Sequence, residues 1–156
     1  MQERGAEQRA LFRRWPAGVS VVVAEVDGRR AGLTVSSLAS LSLEPRLIGI
    51  SIALDASLHE LLREAGEWAV SMLSGEQEAL AQHFARSVPP IALWNGIEVR
   101  EDDPRLLTAA AGWIIARTID QVSTGDHTLF VGEIQSIEEG TAETSLVYVH
   151  RGYRSL

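Results

Sequence analysis

The sequence predicts a mainly β protein with flanking helices, its strands antiparallel and built into a barrel. Three observations carry that prediction. β-branched or alternating apolar segments recur along the chain, most of them bounded by Gly, Pro or Asp. Only three stretches have helical character, too few for the alternating strands and helices of a parallel sheet. Turn signals at Asp27-Gly28 and at Thr124 to Asp126 join neighbouring strands directly, as hairpins do.

Residues 6–14 have helical spacing at Ala10, Leu11 and Arg14, and Pro16 and Gly18 stop the helix. The continuous run VSVVVAEV (19–26) reads as a buried strand, and Asp27-Gly28 turns it into the next segment, which Pro45 closes. RLIGISIAL (46–54) is a third strand. Two helices follow, each announced by a capping box: Ser57 with Glu60, ended by Gly66, and Ser74 with Gln77. Between them EWAVSML (67–73) is a strand with Trp68, Val70 and Met72 on one face. Residues 86–110 carry Pro89, Pro90, Pro104 and WNG, and read as a long surface excursion with a short strand near 97–100. Two strands around the turn at 124–126 come next, then a final strand and tail in SLVYVHRGYRSL.

Composition narrows the chemistry. With 156 residues and 46% hydrophobic content the chain forms one domain, 1–156, with a real core. No apolar run approaches the roughly 20 residues of a membrane span, and the polar start MQERGAEQRA is unlike a signal peptide, so a cytoplasmic location and no membrane partner are expected. A net charge of −7 argues against nucleic-acid binding. Cysteine and lysine are both absent, which removes thiol chemistry, a Schiff-base lysine and the P-loop lysine. The motifs of serine hydrolases, P-loop nucleotidases and Rossmann dinucleotide sites are also absent. His59, His83, His127 and His150 lack metal-ligand spacing, and no metal is expected.

Two segments stand out. GLTVSSLASLSLEP (32–45) packs five hydroxyls, Thr34, Ser36, Ser37, Ser40 and Ser42, into an otherwise apolar stretch. Strand parity puts Thr34, Ser36, Ser40 and Ser42 on one face and Val35 with most of the apolar residues on the other. One face can join a core while the other hydrogen-bonds an anion or a polar cofactor, or simply faces solvent. In TGDHTLFVGE (124–133), Gly125 and Asp126 suit any hairpin, whereas the amphipathic ring of His127 at the strand start is a candidate functional group.

WPAGVSVVVAEVDGRRAGLTVSSLASLSLEP, SLHELLREAGEWAVSMLSGEQEALAQHFA and GDHTLFVGEI, in that order, resemble the flavin reductase family, an FMN-binding split β-barrel, from about residue 11 to the C-terminus. The resemblance implies an antiparallel split barrel that forms a homodimer, binds FMN or FAD, and reduces it with NADH or NADPH. It further implies release of reduced flavin to a partner monooxygenase. By the same resemblance Thr34, Val35, Ser36, Ser37 and Ser40 line the flavin, and Ser51, Ile52, Ala53, Ser57 and Leu58 lie beside its ring and phosphate. Phe84 and Ala85 belong to that pocket, His127 is the catalytic candidate where the nicotinamide approaches, and Tyr153 and Arg154 lie on the nicotinamide side. Hydroxyls and a helix N-terminus supply phosphate donors without lysine. The chain departs from common family residues at Ala53, Asp55, Ser71 and Ala116-Arg117. Two other readings fit the same residues: a flavoprotein that retains its flavin and acts on another substrate, and a flavin-binding module without turnover.

Overall fold

The computed structural model describes residues 2–86 and 88–156. Among them three helices, α1 (Gln2–Phe12), α2 (Ser57–Ala65) and α3 (Glu78–Ala85), flank ten strands. Seven strands form one antiparallel sheet in the order β3 (Arg29–Val35), β2 (Ser20–Val26), β6 (Glu67–Met72), β7 (Gly112–Thr124), β8 (His127–Glu139), β5 (Arg46–Ala53) and β4 (Ala39–Leu43). A smaller sheet orders β1 (Ala17–Gly18), β9 (Leu146–Val149) and β10 (Gly152–Ser155).

The order of the large sheet dictates its shape. β3 and β4 are its two edges, yet only Ser36, Ser37 and Leu38 lie between them. Six inter-strand spacings would set the edges of a flat sheet roughly 29 Å apart. Four Cα steps reach at most roughly 15 Å. The sheet must therefore curl until its edges meet at the link, giving a barrel split along the β3–β4 seam. Ser37 fastens the link: its hydroxyl donates to the Ser51 carbonyl and accepts from the Ser51 N–H, both at 3.0 Å.

β2 is buried on both faces, which explains its unbroken β-branched run. Val22 and Ala24 join the barrel interior with Ile50, Trp68, Val70 and Phe130. Val21 and Val23 point the other way, into a second core with Leu73, Ala81, Phe84 and Leu107. α2 adds Leu58, Leu61 and Leu62 to the first core, and α3 packs on β3 and β2 to complete the second.

Several elements differ from the sequence expectation. The segment 32–45 is two strands, because closing the barrel needs the chain to leave one sheet edge and enter the other at Ser36–Leu38. Ser57 is the first helical residue of α2 and not its cap; Ala56 holds the cap position without a side-chain bond. The helix does end at Gly66, in the left-handed region at φ 69°. The Ser74–Gln77 box forms only its return half, Ser74 N–H donating to Gln77 Oε1 at 2.9 Å. A turn intervenes and α3 begins at Glu78, while the Gln77 amide donates to the Thr108 carbonyl. The predicted final strand is a hairpin, β9–β10, turning on His150 and Arg151, both at positive φ.

Among its described residues the excursion at 86–110 contains no full strand, only a bridge between Val99 and Leu107. Hydrogen bonds that strap it to the barrel include Trp94 Nε1 to the Arg30 carbonyl, Arg105 to Glu67, and Leu107 N–H to the buried Ser71 hydroxyl. Burial opposes the charged form of Asp103, but the Arg105 guanidinium at 2.7 Å outweighs it and holds that carboxyl below its ordinary range.

Candidate functional site

A cleft beside the β3–β4 link gathers several of the residues singled out in the sequence. Thr34, Val35, Ser36 and Ala85 line a cleft of about 220 Å³ together with Val19, Tyr148 and Tyr153. The Thr34 hydroxyl donates to the Ala81 carbonyl at 2.6 Å, joining β3 to α3 beside the cleft. Ser36 is exposed in the link. Tyr148 and Tyr153 face each other across the β9–β10 hairpin, ring centroids 5.1 Å apart and inclined at 61°. Burial pushes the Tyr153 phenol up, with Tyr148 and Glu78 adding to the effect, so it remains a donor at neutral pH.

A second group adjoins through Ser37. Its partner Ser51 lies two residues before Ala53 on β5, and Ala53 pairs with His127 across β5 and β8. Leu54 N–H donates to the Asp126 carbonyl at 3.0 Å and fixes the β7–β8 turn against the end of β5. The His127 side chain is 42% exposed, with Nδ1 2.7 Å from Asp126 Oδ1. That hydrogen bond lowers the Asp126 carboxyl.

Other singled-out residues lie differently. Ile52, Leu58 and Phe84 are enclosed in the cores; Phe84 packs beneath Gly32 and against Trp94, shaping the wall from behind. Ser40 is exposed on β4, paired with Ile48, and a register shift separates it from Ser42. The hydroxyls of 32–45 thus do not form the single face that strand parity implies, since Thr34 and Ser40 belong to opposite sheet edges. Ser57 borders a separate cleft of about 710 Å³ with Arg29, Arg30, Glu60, Glu64 and Trp94. Arg154 is exposed, its guanidinium donating to the Tyr153 carbonyl at 3.0 Å. Val19 and Tyr148 are lining residues that the sequence reading did not select. The signal for Tyr148 is its spacing: it and Tyr153 stand equally far from the turn at His150-Arg151.

The smaller cleft suits a planar heteroaromatic ring. Valine and alanine side chains offer apolar contact, two phenols offer aromatic edges, and Thr34 and Ser36 offer hydroxyls for a polar rim. A model of the flavin reductase like domain matches residues 12–156. The chain belongs to that family. Among its relatives, the reductase component of 4-hydroxyphenylacetate 3-monooxygenase from Thermus thermophilus is 35% identical over 144 residues, covering 92% of this chain and 91% of the relative. An NADH:FMN oxidoreductase from Rhodococcus qingshengii is 32% identical, covering 94% and 78%. The structure of an NADH:FAD oxidoreductase from Streptomyces globisporus, in complex with NAD and FAD fragments, superposes with a TM-score of 0.89. It is 27% identical, covering 99% of this chain and 93% of that one. As a flavin reductase family member the chain keeps a mainly β, split-barrel fold with three helices. At two positions where it departs from common family residues, the substitutes serve packing. Ser71 accepts from the excursion, and Ala116 is fully buried.

Proposed function

We propose that this chain is an NAD(P)H:flavin oxidoreductase that reduces FMN or FAD and supplies the reduced flavin to a partner monooxygenase. The observation that carries the reading is the aromatic and hydroxyl-lined cleft beside the β3–β4 link, which the Ser37–Ser51 bonds join to β5, the strand on which Ala53 pairs with His127. The activities of the Thermus and Rhodococcus relatives support it. When bound, the flavin supplies the redox chemistry, taking a hydride from the nicotinamide.

The chain's own contribution is binding and orientation. Thr34 and Ser36 meet the polar rim of the ring, Val35 and Ala85 its apolar surface, and Ser51 and Ala53 the neighbouring wall. Ser37 acts by holding the link to Ser51. Ser57, the first residue of the nine-residue α2, borders the separate larger cleft, and from there the free N–H groups of the helix start would meet the flavin phosphate. His127 would contact the nicotinamide and orient it toward the flavin, and Tyr153 and Arg154 are the further nicotinamide-side candidates. Ile52, Leu58 and Phe84 back the walls, and Ser40 lies on the outer rim. Exposed Leu43 on β4 and Ile119 and Val122 on β7 support a homodimer, since a second copy would cover them.

Steady-state oxidation of NADH and NADPH with FMN, FAD and riboflavin tests the reading directly. A yellow protein inert with both nucleotides would leave only a flavin-binding module. For His127→Asn, reduction of bound flavin followed at roughly 450 nm should show kcat/KM for NADH about 10- to 100-fold lower. Flavin affinity should stay within about twofold of the unsubstituted protein. An unchanged rate removes His127 from the site.

A further inference from the structure

α2 and β8 meet through one buried polar pair. His59, 3% exposed, places Nε2 2.7 Å from Thr128 Oγ1, a hydrogen bond in either tautomer. Its other ring nitrogen lies 3.3 Å from Glu60 Oε1, and its ring meets Phe130 edge-on at 5.5 Å. Thr128 is 8% exposed and sits opposite Ile52 on β5. Two polar groups kept in an apolar interior carry a desolvation cost that two apolar side chains of similar volume would avoid. Stability alone gives no reason for the pair. What it does provide is direction.

Side chains alternate across a strand. Thr128 points into the barrel with Phe130, so its neighbour His127 must point out. His127 opens β8 immediately after the β7–β8 turn, where a strand frays first. The Asp126 carbonyl is held by Leu54 and the His127 carbonyl by Thr124 Oγ1, which tie the turn to β5 and β7. Among the described residues, the His59–Thr128 bond is the side-chain hydrogen bond that ties β8 to α2, the helix opening with Ser57 and Leu58.

We propose that the buried His59–Thr128 pair is a positioning device, setting His127 against the flavin end of the barrel so that the nicotinamide docks in register. The proposal rests on the reading of His127 as the nicotinamide contact. The two residues of the pair touch no substrate; they act through the start of β8.

The test is a set of stopped-flow measurements on the flavin-loaded protein with NADH, comparing Thr128→Val, Thr128→Ser, His127→Asn and the double variant T128V/H127N. Thr128→Val should lower the second-order rate of flavin reduction about 5- to 20-fold, with flavin affinity within about twofold of the unsubstituted protein. Thr128→Ser keeps the hydroxyl and should restore most of the rate. The double variant should be no slower than His127→Asn, because a misplaced asparagine loses nothing more. An equal loss from Thr128→Val in both backgrounds overturns the proposal, as does an unimpaired Thr128→Val beside an impaired His127→Asn. An unimpaired His127→Asn instead sinks the reading of His127 and the positioning role together. Should Thr128→Val not fold, His59→Gln enters the same cycle, with the same outcomes deciding.

Discussion

Replacing Ser37 with alanine removes both hydrogen bonds that hold the β3–β4 link to β5. A bond of this kind contributes about 0.5–1.5 kcal/mol net, so the pair is worth about 1–3 kcal/mol. Ser37 is only half-buried, and water recovers part of the loss, leaving an expected destabilisation of about 1–2 kcal/mol. For a chain of 156 residues that corresponds to a Tm lower by roughly 2–8 °C. Thermal unfolding of the flavin-free protein reads the stability, and a fluorescence titration reads flavin affinity. The Ser37 hydroxyl is committed to Ser51, so affinity should fall less than about tenfold, through movement of the link alone. Ser36→Ala is the converse case. Its hydroxyl is exposed, so Tm should stay within about 1 °C while flavin binding weakens by about 1–3 kcal/mol. An unchanged Tm for Ser37→Ala, with a flavin loss equal to that of Ser36→Ala, would refute this reasoning and make Ser37 a direct ligand.

Three further outcomes are expected. Gly132→Ala places a Cβ 2.6 Å from the Trp68 ring and 2.9 Å from the Ala116 Cβ, inside the barrel. It should lower stability by about 1–3 kcal/mol through overpacking, read by urea unfolding; a neutral result would mean that Trp68 can shift. Asp103 is held below its ordinary range, so its contribution is present above the unfolded pKa and lost as pH falls through the folded one. As the pH falls below about 4 and on through the lowered Asp103 pKa, the 86–110 excursion should become a protease target before the barrel does, whereas the Arg105→Gln protein should already be cleaved there at pH 7. Light scattering at micromolar concentration should give twice the chain mass; a monomer with full flavin affinity would count against the homodimer.

How much was legible depends on where the deciding contacts lie. The β2–β3 hairpin was readable because Asp27 and Gly28 adopt positive φ, the property that makes such a pair a turn signal. The β9–β10 hairpin was not, because His150 and Arg151 adopt the same conformations without either residue advertising it. β1 is two residues long and exists only through its pairing with β9. The break at Ser36–Leu38 is invisible locally, since serine and leucine continue a strand as readily as they end one. Only barrel closure imposes it. The candidate site follows the same logic. Thr34 to Ser37 and His127 stood out as polar groups in apolar or turn surroundings, whereas His59 and Thr128 are found only when α2 is laid against β8. The Ser57 capping box failed because the preceding residue, Ala56, takes the extended conformation at the cap.

β2 belongs to two cores at once, and that has a consequence for how the molecule comes apart. A boundary drawn between the barrel interior and the outer cluster would have to run through the backbone of a single strand, with Val22 on one side and Val21 and Val23 on the other. Neither half can melt and leave the other intact, because losing either lining exposes the same seven residues, which are bonded laterally to both β3 and β6. Unfolding should therefore be all-or-none across both cores, with calorimetric and van't Hoff enthalpies equal. The amides of β2 should exchange with solvent only through that global event, more slowly than those of the exposed C-terminal stretches of β7 and β8.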